Sequence, residues 1–139
     1  MSNTSMKKVM VFGTFDLLHE GHKDFFIQAK KHGDFLIVVV ARDSSVLKMK
    51  GILPHHNELE RIAAIRKIPF VDKAVLGYET DFYQVIEENK PHVLCFGYDQ
   101  NKLNVEQELK KRKISVDIFT LAAFAPEKFK SSILRKKIR

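Results

Sequence analysis

The chain of 139 residues has a single cysteine and no tryptophan, and no stretch of it approaches the ~20 apolar residues that a membrane span needs. The lone Cys95 lies in an apolar run, closes no internal disulfide and reads as a small buried hydrophobe. The first residues are polar, without the apolar core of a signal peptide. Together these features point to a reducing, cytoplasmic location. No internal repeat, low-complexity tract or linker divides the sequence. Residues 1–7 therefore read as a disordered leader and 8–139 as a single domain, long enough to withdraw roughly two-thirds of its unfolded surface from water. Acidic residues are missing from the tail: after Glu127 come Lys128, Lys130, Arg135, Lys136, Lys137 and Arg139, which carry much of the net charge of +7. That excess suits a polyanionic partner such as nucleic acid, a nucleoside triphosphate or a membrane surface. The interleaved basic and aromatic residues of an RNA-binding sheet are absent, and the eleven phenylalanines read as core, so a basic nucleic-acid-binding module is the weaker reading.

What is present is alternation. Residues 8–14, 34–41, 72–77, 92–97 and 115–121 read as strands; 23–32, 57–67, 81–89, 105–113 and 131–138 read as helices. The run 34–41 is almost continuously aliphatic, as expected of a parallel strand buried on both faces. The pattern predicts an α/β fold, a Rossmann-like doubly wound sandwich with a five-stranded parallel sheet and helices on both faces. Gly33 reads as a helix C-cap and Asn57 as an N-cap. Residues 44–56, polar and irregular, read as a long loop of the kind that is usually functional.

Where the first strand hands over to the first helix stands Gly13-Thr14-Phe15-Asp16-Leu17-Leu18-His19-Glu20-Gly21-His22. In an open parallel sheet, ligands bind at the carboxyl ends of the strands, and the helix N-terminus behind this stretch favours an anion. His19 and His22 are three apart, so on a first helical turn they share a face, and Gly21 keeps the gap between them clear. The spacing is not that of a zinc protease, which needs H-E-x-x-H, and no third metal ligand stands nearby. The pair reads as two N–H donors aimed at the phosphates of a nucleotide.

These residues resemble the signature of the cytidylyltransferase-like nucleotidyltransferases, the HxGH superfamily, and the similarity runs over essentially the whole chain from Lys8. Ser131-Ser132-Ile133-Leu134-Arg135 resembles the family's second signature. Lys48 and Lys50 fall where relatives place phosphate-binding lysines, Glu60-Arg61 where they place an arginine at a helix start, and Gly97-Tyr98-Asp99-Gln100 matches a Gly-x-Asp segment. Within the superfamily, Val40-Ala41-Arg42-Asp43, residues 71–77 and Gly97-Tyr98-Asp99-Gln100 look most similar to archaeal-type FAD synthases, with glycerol-3-phosphate cytidylyltransferase next. One departure concerns the arginine-containing stretch that usually precedes the second signature. Here it appears as Ala125-Pro126-Glu127-Lys128, leaving Lys128 or Lys130 as the cation, without the planar fork of arginine.

The resemblance implies transfer of a nucleoside monophosphate from a triphosphate, ATP or else CTP, to a phosphate-bearing small molecule with release of pyrophosphate. AMP transfer to FMN is the first choice, and CTP with glycerol 3-phosphate the alternative. It implies Mg²⁺ travelling with the triphosphate, and a homodimer. An acceptor phosphate is already ionised near neutral pH, so such a reaction needs positive potential and positioning rather than a base or covalent nucleophile. His19 and His22 are then expected to stabilise the transferring phosphates. Gly13, Thr14 and Phe15 are expected to admit the nucleotide, and Asp16 to orient a histidine or the metal-bound phosphates. Lys48, Lys50 and Arg61 are expected to hold the acceptor phosphate, and Gly97 and Asp99 the ribose or base. Ser131, Ser132, Lys130 and Arg135 are expected to cradle the β- and γ-phosphates. The intact histidine pair argues against a degenerate, binding-only member.

Overall fold

The computed structural model describes residues 6–98, 100 and 103–123. The helix expected over 131–138, and the second signature with it, lie outside the described residues. In chain order the elements are β1 (Lys8–Gly13), α1 (Glu20–Lys30), β2 (Phe35–Val40), α2 (Asp43–Lys50), α3 (Glu58–Arg66), β3 (Lys73–Leu76), α4 (Gln84–Asn89), β4 (Val93–Gly97), α5 (Leu103–Lys111) and β5 (Asp117–Leu121).

The strands form one sheet in the order β3-β2-β1-β4-β5, every pairing parallel. The register sets Gly13 beside Val40 and Val11 beside Cys95, so all the carboxyl ends open on the same edge. The strand order turns back between β1 and β4: β1 continues to β2 on one side, while β4 lies on the other. This topological switch point is the crevice where open α/β sheets bind ligands, and the Gly13–His22 stretch leaves β1 there.

Strand alternation sends side chains to two cores. Val9, Val11, Leu36, Val38 and Val40 pack under Phe26 and Ala29 of α1 and Ile62 and Ile65 of α3. Met10, Phe12, Ile37, Val39, Leu94 and Phe96 pack under Val85 and Ile86 of α4 and Val105 and Leu109 of α5. Both faces of the central strands are therefore covered, which is why β2 reads as an unbroken aliphatic run. Truncating the fully buried Phe26 to alanine is worth about 3–5 kcal/mol at a site of this kind.

Two expectations change. The first part of 44–56 is not loop: α2 occupies Asp43–Lys50, with Asp43 in its first turn, Lys48 and Lys50 in its last, and Gly51 closing it at φ +80°. That charge order suits the helix dipole, and the left-handed C-cap is a conformation glycine adopts without cost. Gly33, by contrast, is no left-handed cap. Lys31 ends α1 in a right-handed conformation, and a Cβ on Gly33 would sit 2.5 Å from the Lys7 carbonyl oxygen. Its glycine lets the chain after α1 pass close to β1. Asn57 does cap α3, accepting from the Glu60 N–H while the Glu60 carboxylate accepts from the Asn57 N–H.

Candidate active site

His19 is the N-cap of α1 and His22 its third residue, and the two imidazoles cap the helix reciprocally. His19 Nδ1 accepts from the Gly21 N–H at 3.0 Å, and His22 Nδ1 accepts from the His19 N–H at 3.3 Å. The rings stack with centroids 3.9 Å apart. A capping box normally uses Ser, Thr, Asp or Asn with Glu or Gln. Building it from imidazoles has a chemical consequence. Each Nδ1 holds a lone pair toward the backbone, so in the neutral ring the proton sits on Nε2. Two parallel Nε2–H donors thus project from a helix N-terminus. Burial holds the His22 pKa below its ordinary value, and His19 beside it lowers it further, so His22 keeps the neutral form that the cap requires.

The turn beneath the pair is strained. Phe15 and Leu17 both take φ of +53°, rarely tolerated outside glycine. Phe15 folds back over Gly13, where a Cβ would lie 2.6 Å from its ring, and its own ring meets His22 edge-on at 5.7 Å and Phe26 at 5.0 Å. Gly13 thus makes room for the ring that braces His22.

Asp16 lies between those two strained residues. Its carboxylate accepts from the backbone N–H of His55 at 2.6 Å and of His56 at 3.1 Å, with both imidazole Nδ1 atoms at 3.4 Å. Burial alone would raise its pKa, but the two backbone N–H groups and then the two imidazoles outweigh that and bring it down to about 2. Asp16, expected to orient a histidine or the metal-bound phosphates, is engaged with His55 and His56.

Arg61 sits in an unexpected place. It is 1% exposed, and its guanidinium donates to the Thr14 carbonyl at 2.8 Å, the His56 carbonyl at 3.0 Å and the Asp43 carboxylate at 2.7 Å. Asp43 and Glu58 cap each other's helices: the Asp43 N–H donates to Glu58 at 2.8 Å and the Glu58 N–H to Asp43 at 3.2 Å. Arg61 therefore ties the loop after β1, the approach to α3 and the start of α2 into one body. A phosphate contact is replaced by a positioning role, because burial and three acceptors leave the cation facing protein. Lys48 and Lys50 are instead exposed on α2, and among the described residues neither has an ion-pair partner. Sequence reasoning missed Asp43, His55 and His56 as parts of this frame. Asp43 stood out only as part of the stretch Val40-Ala41-Arg42-Asp43, with nothing to pair it with Arg61.

A family profile described as cytidylyltransferase-like matches residues 10–137. The chain belongs to the cytidylyltransferase-like family. It is 38% identical over 135 residues to an FAD synthase of Thermoplasma volcanium, covering 96% of this chain and 94% of that one. It is 41% identical over 121 residues to an FAD synthase of Aciduliprofundum boonei, covering 86% and 80%. Among solved structures it is similar to a protein of Thermoplasma volcanium described as a lipopolysaccharide core biosynthesis protein. That match has TM-score 0.83 and 37% identity over 87% of this chain and all of that one. Pantoate-beta-alanine ligase of Francisella tularensis, at 18% identity and TM-score 0.63, shares the fold alone.

The crevice of this cytidylyltransferase-like domain is finished by the end of β4. The Gln100 side chain accepts from the Gly97 N–H at 2.7 Å and donates to the Phe12 carbonyl at 3.2 Å, joining β4 to β1 across the switch point. Asp99, Lys130, Ser131, Ser132 and Arg135, expected around the nucleotide, lie outside the described residues, as does Lys128.

Proposed function

We propose that this nucleotidyltransferase is an FAD synthase, transferring AMP from ATP to FMN. The observation that carries the chemistry is the imidazole capping box, which leaves two Nε2–H donors and no base. An FMN phosphate oxygen attacks the α-phosphorus of ATP; the bond from that phosphorus to the bridging oxygen breaks, and its electron pair leaves on pyrophosphate. Negative charge grows on the α-phosphate and the leaving group, where fixed N–H donors at a helix N-terminus act without reorganising. His19 and His22 meet that charge, while Lys48 and Lys50 on α2 attract the acceptor phosphate. The FAD synthase relatives, similar over most of their length, support the choice of ATP and FMN.

Mg²⁺ travels with the triphosphate in this reading. Among the described residues no group of three His, Cys, Asp or Glu side chains is placed to hold a metal, and both oxygens of Asp16 already accept N–H bonds. Mg²⁺ would then be held mainly by the phosphate oxygens and water, a coordination it commonly adopts. Among the described residues no helix is long and apolar enough to cross a membrane; with a single, buried cysteine, a cytoplasmic location is part of this reading. A homodimer completes the reading, supported by the exposed Met49, Ile52, Leu53 and Leu59 around the α2–α3 corner.

The test is pyrophosphate release with Mg²⁺, comparing ATP plus FMN with CTP plus glycerol 3-phosphate. FAD formed with the first pair, and lost in His19→Ala and His22→Ala, is the expected result. Turnover with the second pair alone replaces the substrates and keeps the reaction type. No turnover with any acceptor, alongside salt-dependent binding to nucleic acid, overturns the reading.

A further inference from the structure

On the face covered by α4 and α5, the carboxyl edge of the sheet also carries aromatic rings that stay partly in water. Phe82, in the turn before α4, is 39% exposed, yet its ring is fixed on two sides. The Phe12 ring lies 4.7 Å away, and Tyr83 meets it edge-on at 5.0 Å. Tyr83 is itself held by the Arg112 guanidinium, 4.8 Å over its ring. Tyr78, just past β3, is 37% exposed, and both Glu88 oxygens accept from its hydroxyl, at 2.7 and 2.8 Å. Phe12 is the residue before Gly13, so the strand that carries the support under Phe82 runs on into the histidine turn, with Phe12 on the α4/α5 face and α1 on the other.

Leaving a large ring half in water is unfavourable, and bracing it there from below fixes its orientation before any ligand arrives. Polar or aliphatic ligands gain little from such a ring; a planar heteroaromatic gains a stacking surface at low entropic cost. We infer that Phe82, braced by Phe12 and sharing the β3–α4 connection with Tyr78, is the platform for the isoalloxazine ring of the flavin acceptor. This rests on the FAD synthase reading and adds the residue that selects a flavin over an acceptor without a ring. Glycerol 3-phosphate has nothing to place on it. In this reading Phe82 discriminates between acceptors and not between donors.

The test uses the full chain and its Phe82→Leu, Phe82→Tyr and Tyr78→Ala variants. FMN fluorescence, quenched by stacking on an aromatic ring, is followed in titrations, and KM is measured for FMN and for ATP. For Phe82→Leu, KM for FMN rises about tenfold, KM for ATP stays put and quenching is lost; Phe82→Tyr restores both. Tyr78→Ala gives a smaller change of the same kind, about threefold. Unchanged FMN affinity and quenching in Phe82→Leu, in a protein that makes FAD, overturns the platform and leaves the function standing. Wild-type quenching that depends on Phe82, without pyrophosphate release from ATP, keeps the platform and overturns the transfer. Turnover with another acceptor and no quenching by FMN overturns both. Circular dichroism confirms that each variant is folded; the partial exposure of Phe82 makes its replacement tolerable.

Discussion

Arg61 and the pair Lys48/Lys50 stand on consecutive helices and invite the same role, yet the fold treats them oppositely. Arg61 faces inward, with three protein acceptors on its guanidinium. The lysines sit at the exposed end of a short helix closed by Gly51. A planar cation with several fixed donors is suited to joining segments, because each donor finds a different acceptor. A flexible ammonium in water keeps its charge available to a ligand. The acceptors around each cation therefore separate two environments, one turned to protein and one to water.

The comparison breaks most readily at Arg61. Arg61→Ala removes three charge-assisted hydrogen bonds and should cost about 3 kcal/mol of stability, the low end for a broken buried pair since the Asp43 side chain keeps 28% exposure. Denaturant unfolding measures it, and stability like that of the parent would assign Arg61 to the ligand after all. His19→Ala and His22→Ala should lower kcat roughly 10²–10³-fold, as removal of a preorganised donor does, with about 1 kcal/mol lost from the cap. A kcat close to that of the parent in either would remove the donor role. Lys48→Ala and Lys50→Ala should leave unfolding unchanged and raise KM for FMN several-fold, in proportion to one exposed charge. If they unfold the protein as Arg61→Ala does, the distinction fails.

Smaller effects sharpen the frame. Asp16 has a folded-state pKa of about 2, below the ~3.9 of an unfolded aspartate. Its contribution is present above pH ~4 and lost as pH falls toward 2. Acid unfolding of Asp16→Asn should therefore be flatter across that window; an identical profile would mean the carboxylate holds nothing. For His22 in the ligand-free protein, NMR should find titration below ~6.5. His19→Gln should return only the lesser part of the lowering, because burial is the larger cause. Full return would place the cause in the neighbouring imidazole instead.

Much of this was legible in the order of residues. The parallel sheet followed from strand and helix alternation and from the unbroken aliphatic run of β2. The place of the candidate site, at the switch point of the sheet, followed from two histidines at a strand-to-helix turn. Helix α2 was hidden because its apolar content is low and its ends are polar, so periodicity had little to register. The frame of Thr14, Asp16, Asp43, His55, His56 and Arg61 was hidden for another reason: its members are up to 47 positions apart and meet only when α3 packs on the sheet.

Local signals suffice where a property depends on neighbours along the chain, as strand pattern, helix caps and a three-residue histidine spacing do. The reaction type belonged to that class. Which cation is structural and which phenylalanine stands braced at the sheet edge depended on partners distant in sequence. Those were decided by tertiary structure, because hydrogen-bond acceptors and packing neighbours are set by the fold and not by adjacency in the chain.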